Sequence, residues 1–220
     1  TTAYSEFDPL MAELAEPFFK KGWIDAPVKP GKAPGAFAHP TVTNVHPYIM
    51  LNYLGKPRDV MTLAHELGHG IHQTLAAKQG EFLSSTPLTL AETASVFGEM
   101  LTFQKMLERA QDTNERKVML ANKVEDMINT VVRQIAFYDF ECKLHAARKK
   151  GELTPKEINA LWMSIQDESL GPAFRFMDGY ETYWAYVPHF VHSPFYVYAY
   201  AFGDGLVNAL YDVYRDNSVG

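Results

Sequence analysis

The chain has 220 residues, of which 47% are hydrophobic and 21% charged, and all three aromatic types are present, so disorder is excluded as its overall state. A formal charge of −6 with Lys and Arg scattered argues against nucleic acid or an anionic membrane as the main partner, and the longest near-continuous apolar run, 195–203, is far short of the ~20 residues a membrane helix needs. The single cysteine, Cys142, cannot form an intrachain disulfide, so the fold needs no oxidising compartment and the expected location is the cytoplasm.

Residues 8–24 predict a short helix interrupted by Pro17. Residues 26–40 carry Pro27, Pro30, Gly31, Pro34, Gly35 and Pro40 and read as loop. Val45 to Tyr53 is short and apolar, is closed by the turn Gly55-Lys56-Pro57, and reads as a strand. Pro47 places the start of that strand at a sheet edge, because proline cannot donate to a ladder. Everything afterwards has a helical pattern. Asp59 is expected to N-cap a helix that runs to Lys78 and stops at Gly80. Thr86-Pro87 opens a second helix from about Leu88 to Ala110, and a third, long and amphipathic, spans about Asn114 to Lys150. Thr154-Pro155-Lys156-Glu157 is a capping box that starts a fourth. Residues 170–194 are irregular and aromatic-rich, and a last helix follows from about Phe195. The class is mainly α with a small edge sheet.

The sharpest signal is His65-Glu66-Leu67-Gly68-His69. Histidines four apart on a helix stand about 40° apart around its axis, so both imidazoles point the same way. Neutral imidazole nitrogens are good Zn²⁺ ligands, and the interposed Glu66 stands near the ion without binding it, placed to take a proton from an attacking water. The plain alternative is an amphipathic helix with two half-buried histidines. Gly68 and Gly70 sit mid-helix at a cost of about 1 kcal/mol each against alanine, so either the site or a packed neighbour needs close backbone approach there.

Two histidines leave a catalytic zinc one protein ligand short. His72 shares their face but lies too close along the same helix for three nitrogens to converge, and reads either as supporting a ligand from behind or as lining the cleft. Glu92 is better placed, because a turn at Gly80 and an antiparallel return helix bring it back beside the pair. Its competing role is a capping box with Thr89. Glu99, two turns further along the same face, is placed either to accept a hydrogen bond from a ligand histidine or to sit in solvent.

Gly35-Ala-Phe37, His46-Pro-Tyr-Ile-Met-Leu-Asn-Tyr53, Asp59 through His69 and Leu90-Ala-Glu-Thr-Ala-Ser-Val-Phe-Gly-Glu99 together resemble the oligoendopeptidase F branch of the thimet oligopeptidase family of zinc peptidases. The resemblance covers most of the chain. It implies a zincin-like, mainly α catalytic region holding one Zn²⁺ per chain, with His65, His69 and Glu92 as ligands and Glu66 as general base. It also implies larger relatives with a preceding helical part that closes over the zinc. Residues 1–220 then read as one catalytic region truncated at both ends, expected to bind zinc and to cleave peptides poorly.

Residues 174–202 hold 12 of the 29 aromatics (14 Phe, 12 Tyr and 3 Trp). Core packing explains most of them. Relatives carry a histidine followed by a tyrosine-rich helix that hold the substrate carbonyl and backbone, which the resemblance carries over to His189 and, through Tyr198-Ala-Tyr200-Ala, to Tyr200. The Ser193-Pro194 step leaves His192 open beside the favoured His189, and Tyr196 and Tyr198 are further candidates for substrate contact. The expected activity is hydrolysis within short, unstructured peptides. Competing readings are an aminopeptidase or carboxypeptidase, which need a group to anchor a free terminus that is not evident here, and a non-catalytic helical interaction module. Oligomeric state is not encoded in any feature of the sequence.

Overall fold

The computed structural model describes residues 1–218, which fall into two compact units: Thr1–Met119 together with the residues from Gly205 onward, and Leu120–Asp204.

In the first unit, helices α1 (Thr2–Phe7) and α2 (Pro9–Lys20) precede a three-stranded sheet. The Asp8 side chain accepts from the Leu10 amide at 2.8 Å and caps α2, and Pro17 is carried inside that helix rather than ending it. Strands β1 (Ile24–Asp25), β2 (Phe37–His39) and β3 (Tyr48–Met50) lie in the order β1-β3-β2, with β1 parallel and β2 antiparallel to β3. The small sheet is there as expected, but the 45–53 segment is its central strand, not an edge. Pro47 stands just before the ladder begins, so its missing N–H is not needed. Of the partner strands, β2 comes from the segment read as loop and β1 from the end of the segment read as helix, and strands of two or three residues are too short for their periodicity to register.

Helix α3 (Pro57–Ala76) starts three residues earlier than expected, with Lys56 rather than Asp59 at the N-cap. Asp59 is its third residue, and its carboxylate accepts from the Leu54 and Lys56 amides at 2.8 and 2.9 Å, tying the entering chain to the first turn. Gly80, at φ 84°, closes the exit after a 3₁₀ turn. Helix α4 (Leu88–Arg109) packs on α3. An added Cβ at Gly68 would lie 2.6 Å from the Ala94 carbonyl oxygen and 2.7 Å from Ser95 Cα, and one at Gly98 would lie 2.7 Å from the Ala64 carbonyl oxygen. The pairing of 68 with 95 and of 64 with 98 makes the two helices antiparallel, touching backbone to backbone. Tyr4 seals the crossing: its buried hydroxyl donates to the Ala64 carbonyl at 2.9 Å. Around it Phe18, Ile49, Leu51, Leu67, Ile71 and Leu101 form the core of this unit.

Helix α5 (Thr113–Met127) runs into a π-helical turn over Ile128–Arg133 and then α6 (Gln134–Arg148), so the long third helix is interrupted rather than continuous. None of the α5 side chains is buried, and Val118 and Val124 stand open. Helix α7 (Pro155–Leu170) begins with the expected capping box at Thr154 and Glu157. In the second unit Phe140 and Trp162 are fully buried with Phe137, Ile165, Val187 and Val197 around them, and Trp162 Nε1 donates to the Tyr180 carbonyl at 3.0 Å. The aromatic segment folds as 3₁₀ turns, a single-turn helix α8 (His189–His192), and an elbow leading into α9 (Tyr198–Ser218), three residues later than expected. No described helix is long and apolar enough to cross a membrane.

Candidate active site

Helix geometry does the first part of the assembly. His65 and His69 stand one turn apart on α3, their ring centroids 4.8 Å apart and their planes near perpendicular. The antiparallel return of α4 supplies Glu92, a full turn inside that helix and 2% exposed, so it does not serve as a cap. His65 Nε2 lies 3.6 Å from Glu92 Oε2, and His69 Nε2 lies 3.9 Å from Glu92 Oε1. One donor atom from each of His65, His69 and Glu92 sits within 4.8 Å of the other two. Around an ion with bonds of about 2.1 Å, tetrahedral donors are about 3.4 Å apart. Small side-chain rotations therefore bring these three onto one divalent cation, and two imidazoles with one carboxylate leave a fourth position open, the donor set of a hydrolytic metal site. The residues fit a metal.

The neighbours orient the donors. His65 Nδ1 donates to Glu99 Oε1 at 2.6 Å, which leaves Nε2 as the nitrogen that faces Glu92. Ser95 Oγ donates to the Glu92 carbonyl at 2.9 Å and stands 3.4 Å from its Oε2. Glu66 is buried on α3, and its Oε2 has no hydrogen-bond partner among the described residues. A buried carboxylate oxygen without a partner is costly, and an attacking water or an ion beside it would relieve that cost.

Electrostatics among these side chains follow from burial. Burial pushes the Glu66 carboxyl up to about 7; the His65 charge opposes this, and the Glu92 and Glu99 carboxylates add to it. Burial and the neighbouring His65 and His72 hold the His69 imidazole down at about 3. For His65 burial again disfavours the cation, but the Glu99 hydrogen bond and the charges of Glu99, Glu92 and Glu66 outweigh it and raise its pKa. A divalent cation among the three donors favours neutral imidazoles and an ionised Glu66. His72 lies outside the three-donor group, half-buried and lowered by that burial.

The remaining candidates lie in the second unit. The Tyr200 hydroxyl is 3.2 Å from His189 Nε2, and the Tyr196 ring stands 5.6 Å from His189 and 5.4 Å from Tyr200. Burial disfavours the charged form of His189 and lowers its pKa. His192, exposed at the end of α8, is outside this group of rings, and Tyr198 turns away to pack on Tyr138 at 5.3 Å. One contributor was not foreseen from the sequence: Gly98, which lets α4 approach α3. A second mid-helix glycine facing the first was the available signal for Gly98.

Comparison with known proteins settles the family. The profile of peptidase family M3 matches residues 3–215. The chain belongs to that family. It is 34% identical over 207 residues to an oligoendopeptidase F homolog of Borreliella burgdorferi, covering 93% of this chain and 35% of the relative. Oligopeptidase PepF of Bacillus subtilis is 29% identical over 208 residues, covering 92% of this chain and 31% of PepF. The solved structure of PZ peptidase A with an inhibitor superposes with a TM-score of 0.83 at 20% identity over 99% of this chain and 38% of that one, which establishes the shared fold. The resemblance to the oligoendopeptidase F branch and the mainly α class with a small sheet are thus borne out. The chain spans about a third of the length of these curated relatives.

Proposed function

We propose that residues 1–220 are the catalytic region of a zinc endopeptidase acting on short, unstructured peptides. The carrying observation is the convergence of His65, His69 and Glu92 donor atoms within 4.8 Å, beside a buried Glu66 oxygen without a partner. His65, His69 and Glu92 would hold one Zn²⁺, which when bound lowers the pKa of water and polarises a carbonyl. Glu66 takes the proton from the attacking water and returns it to the leaving amine. The family resemblance names His189 and Tyr200, the pair 3.2 Å apart in the second unit, as donors to the oxygen that gains charge during the attack. Beside Glu66, the outer edge of β2 offers backbone groups on which an extended peptide can add without strict sequence choice. The cytoplasm is the proposed compartment, in keeping with a chain whose one cysteine forms no intrachain bridge.

Metal analysis paired with a mixed-peptide digest read by mass spectrometry tests the reading. The expected result is one zinc per chain and cuts within short peptides. Absence of bound metal with His65 and His69 unmodified, or stepwise trimming from one end, would overturn it. Glu92 and Glu99 are separable in the same way. Glu92→Ala removes a ligand and Glu99→Ala removes only the hydrogen bond that orients His65, a change that typically weakens metal affinity about 10- to 100-fold. Competition with a chelator should therefore strip Glu92→Ala first; the opposite order would exchange the two roles.

A further inference from the structure

Glu141 of α6 is 1% exposed and has no part in the hydrolysis described above. Its Oε1 accepts the backbone N–H of Phe195 at 2.8 Å, and its Oε2 is buried with no hydrogen-bond partner among the described residues. Burial raises its pKa. A carboxyl group in such a position needs a reason, because burying it is unfavourable.

The reason lies in the residue it holds. Phe195 adopts φ 61°, a conformation that a bulky side chain takes only when its surroundings impose it. The surroundings here come from one face of α6. The Phe195 ring lies 4.8 Å from His145 and 6.2 Å from Tyr138, and Tyr138, Glu141 and His145 follow one another at three- and four-residue steps on that helix. Two rings therefore bracket the side chain while the carboxylate holds the amide.

This elbow joins the two halves of the His–Tyr group. His189 lies before it on α8, and Tyr196 and Tyr200 lie after it on the chain that becomes α9. The 3.2 Å approach of the Tyr200 hydroxyl to His189 Nε2 depends on the angle through which the elbow turns the chain. A Phe195 released to negative φ would send Tyr196 and Tyr200 in another direction.

We propose that Glu141 is a positioning residue that holds the left-handed elbow at Phe195 and thereby fixes the pairing of His189 with Tyr200. The consequence for turnover rests on the peptidase reading; the hold on the elbow does not. What the elbow requires is an acceptor oxygen at the reach of a glutamate side chain, and not a negative charge. The amide oxygen of Gln meets that requirement. Asp keeps the charge but is one methylene short, and Leu keeps the bulk but has no acceptor.

The test uses the full chain and the imidazole ¹⁵N–¹H NMR signals of His189, assigned by their loss in His189→Asn, alongside peptide turnover and metal content. Glu141→Gln is expected to keep the His189 signals of the parent protein. Glu141→Asp and Glu141→Leu are expected to shift them toward those of Tyr200→Phe. In both variants kcat should fall about 10- to 100-fold with KM and bound metal little changed, the scale of loss that small misplacements cause. A contribution to stability alone would lower the melting temperature and leave the His189 signals in place, and that result overturns the proposal. So does a Glu141→Asp that behaves like the parent, or a Glu141→Gln that behaves like Glu141→Leu. Should Glu141→Leu fail to fold, the Asp and Gln pair decides the matter. A parent protein that cleaves no peptide counts against the peptidase reading, while the His189 signals still judge the elbow.

Discussion

Glu66→Gln is expected to keep its metal and lose peptide hydrolysis by about 10²- to 10⁴-fold, the usual contribution of a positioned general base. That range corresponds to about 2.7–5.5 kcal/mol of transition-state stabilisation. The amide has nearly the shape of the carboxylate, and Glu66 is not among the three converging donors, so the His65, His69 and Glu92 group is left intact. What changes is one atom. Oε2 of Glu66, buried and without a hydrogen-bond partner, is the acceptor available to a water's proton, and in glutamine either that position or its neighbour becomes an N–H donor. Stoichiometric metal by elemental analysis together with turnover of a quenched fluorescent peptide measures both halves of the result. An active variant would place the base elsewhere, and loss of metal would make Glu66 a ligand.

Gly68→Ala is expected to lower the melting temperature by about 4–8 °C and to weaken metal binding, although the substitution lies outside the donor set. Alanine in mid-helix normally gains about 1 kcal/mol over glycine. Here the new Cβ would meet the Ala94 carbonyl oxygen at 2.6 Å and Ser95 Cα at 2.7 Å, and both are backbone atoms that cannot rotate aside. The helices must separate, at an overpacking cost of about 3 kcal/mol, for a net loss of about 2 kcal/mol. Glu92 lies two residues before Ala94 on the helix that is pushed, so its carboxylate retreats from His65 and His69. Gly205→Ala is the matching control: it too is helical, and its added Cβ finds nothing within 4 Å. Stability should rise there by about 1 kcal/mol. Calorimetry and a chelator titration on the two variants test the argument; a Gly68→Ala protein with unchanged melting and metal affinity would refute it.

How much of this was legible depends on the range of the interaction. The spacing of His65 and His69 places two imidazoles on one face whatever the helix packs against, because 3.6 residues per turn is a local property of the backbone. The capping box at Thr154 and the stop at Gly80 are local in the same sense, and both stand where the sequence puts them. Glu92 needed one further step, the assumption that a helix after Gly80 turns back. The two glycines on α3 pointed to close contact without naming the partner. The structure names Ala94 and Ser95 for Gly68 and the ring of Phe18 for Gly70.

Other features had no local cause. The 45–53 segment is central because β1 and β2, two and three residues long, come back to it from either side, and strands that short carry no period of their own. The π turn at Ile128–Arg133 breaks a helix that its sequence pattern would continue. Phe195 takes a positive φ that its own side chain opposes, held by a carboxylate 54 residues away.

The sequence by itself thus determined the donor types, their common helix face and, through its motifs, the family. Only the tertiary structure decided which carbonyl sits against Gly68, which histidine Glu99 orients, and that His189 rather than His192 meets the tyrosines. The physical reason is that helix periodicity is set within a few residues, whereas a buried acceptor finds its donor only after the chain has folded back on itself.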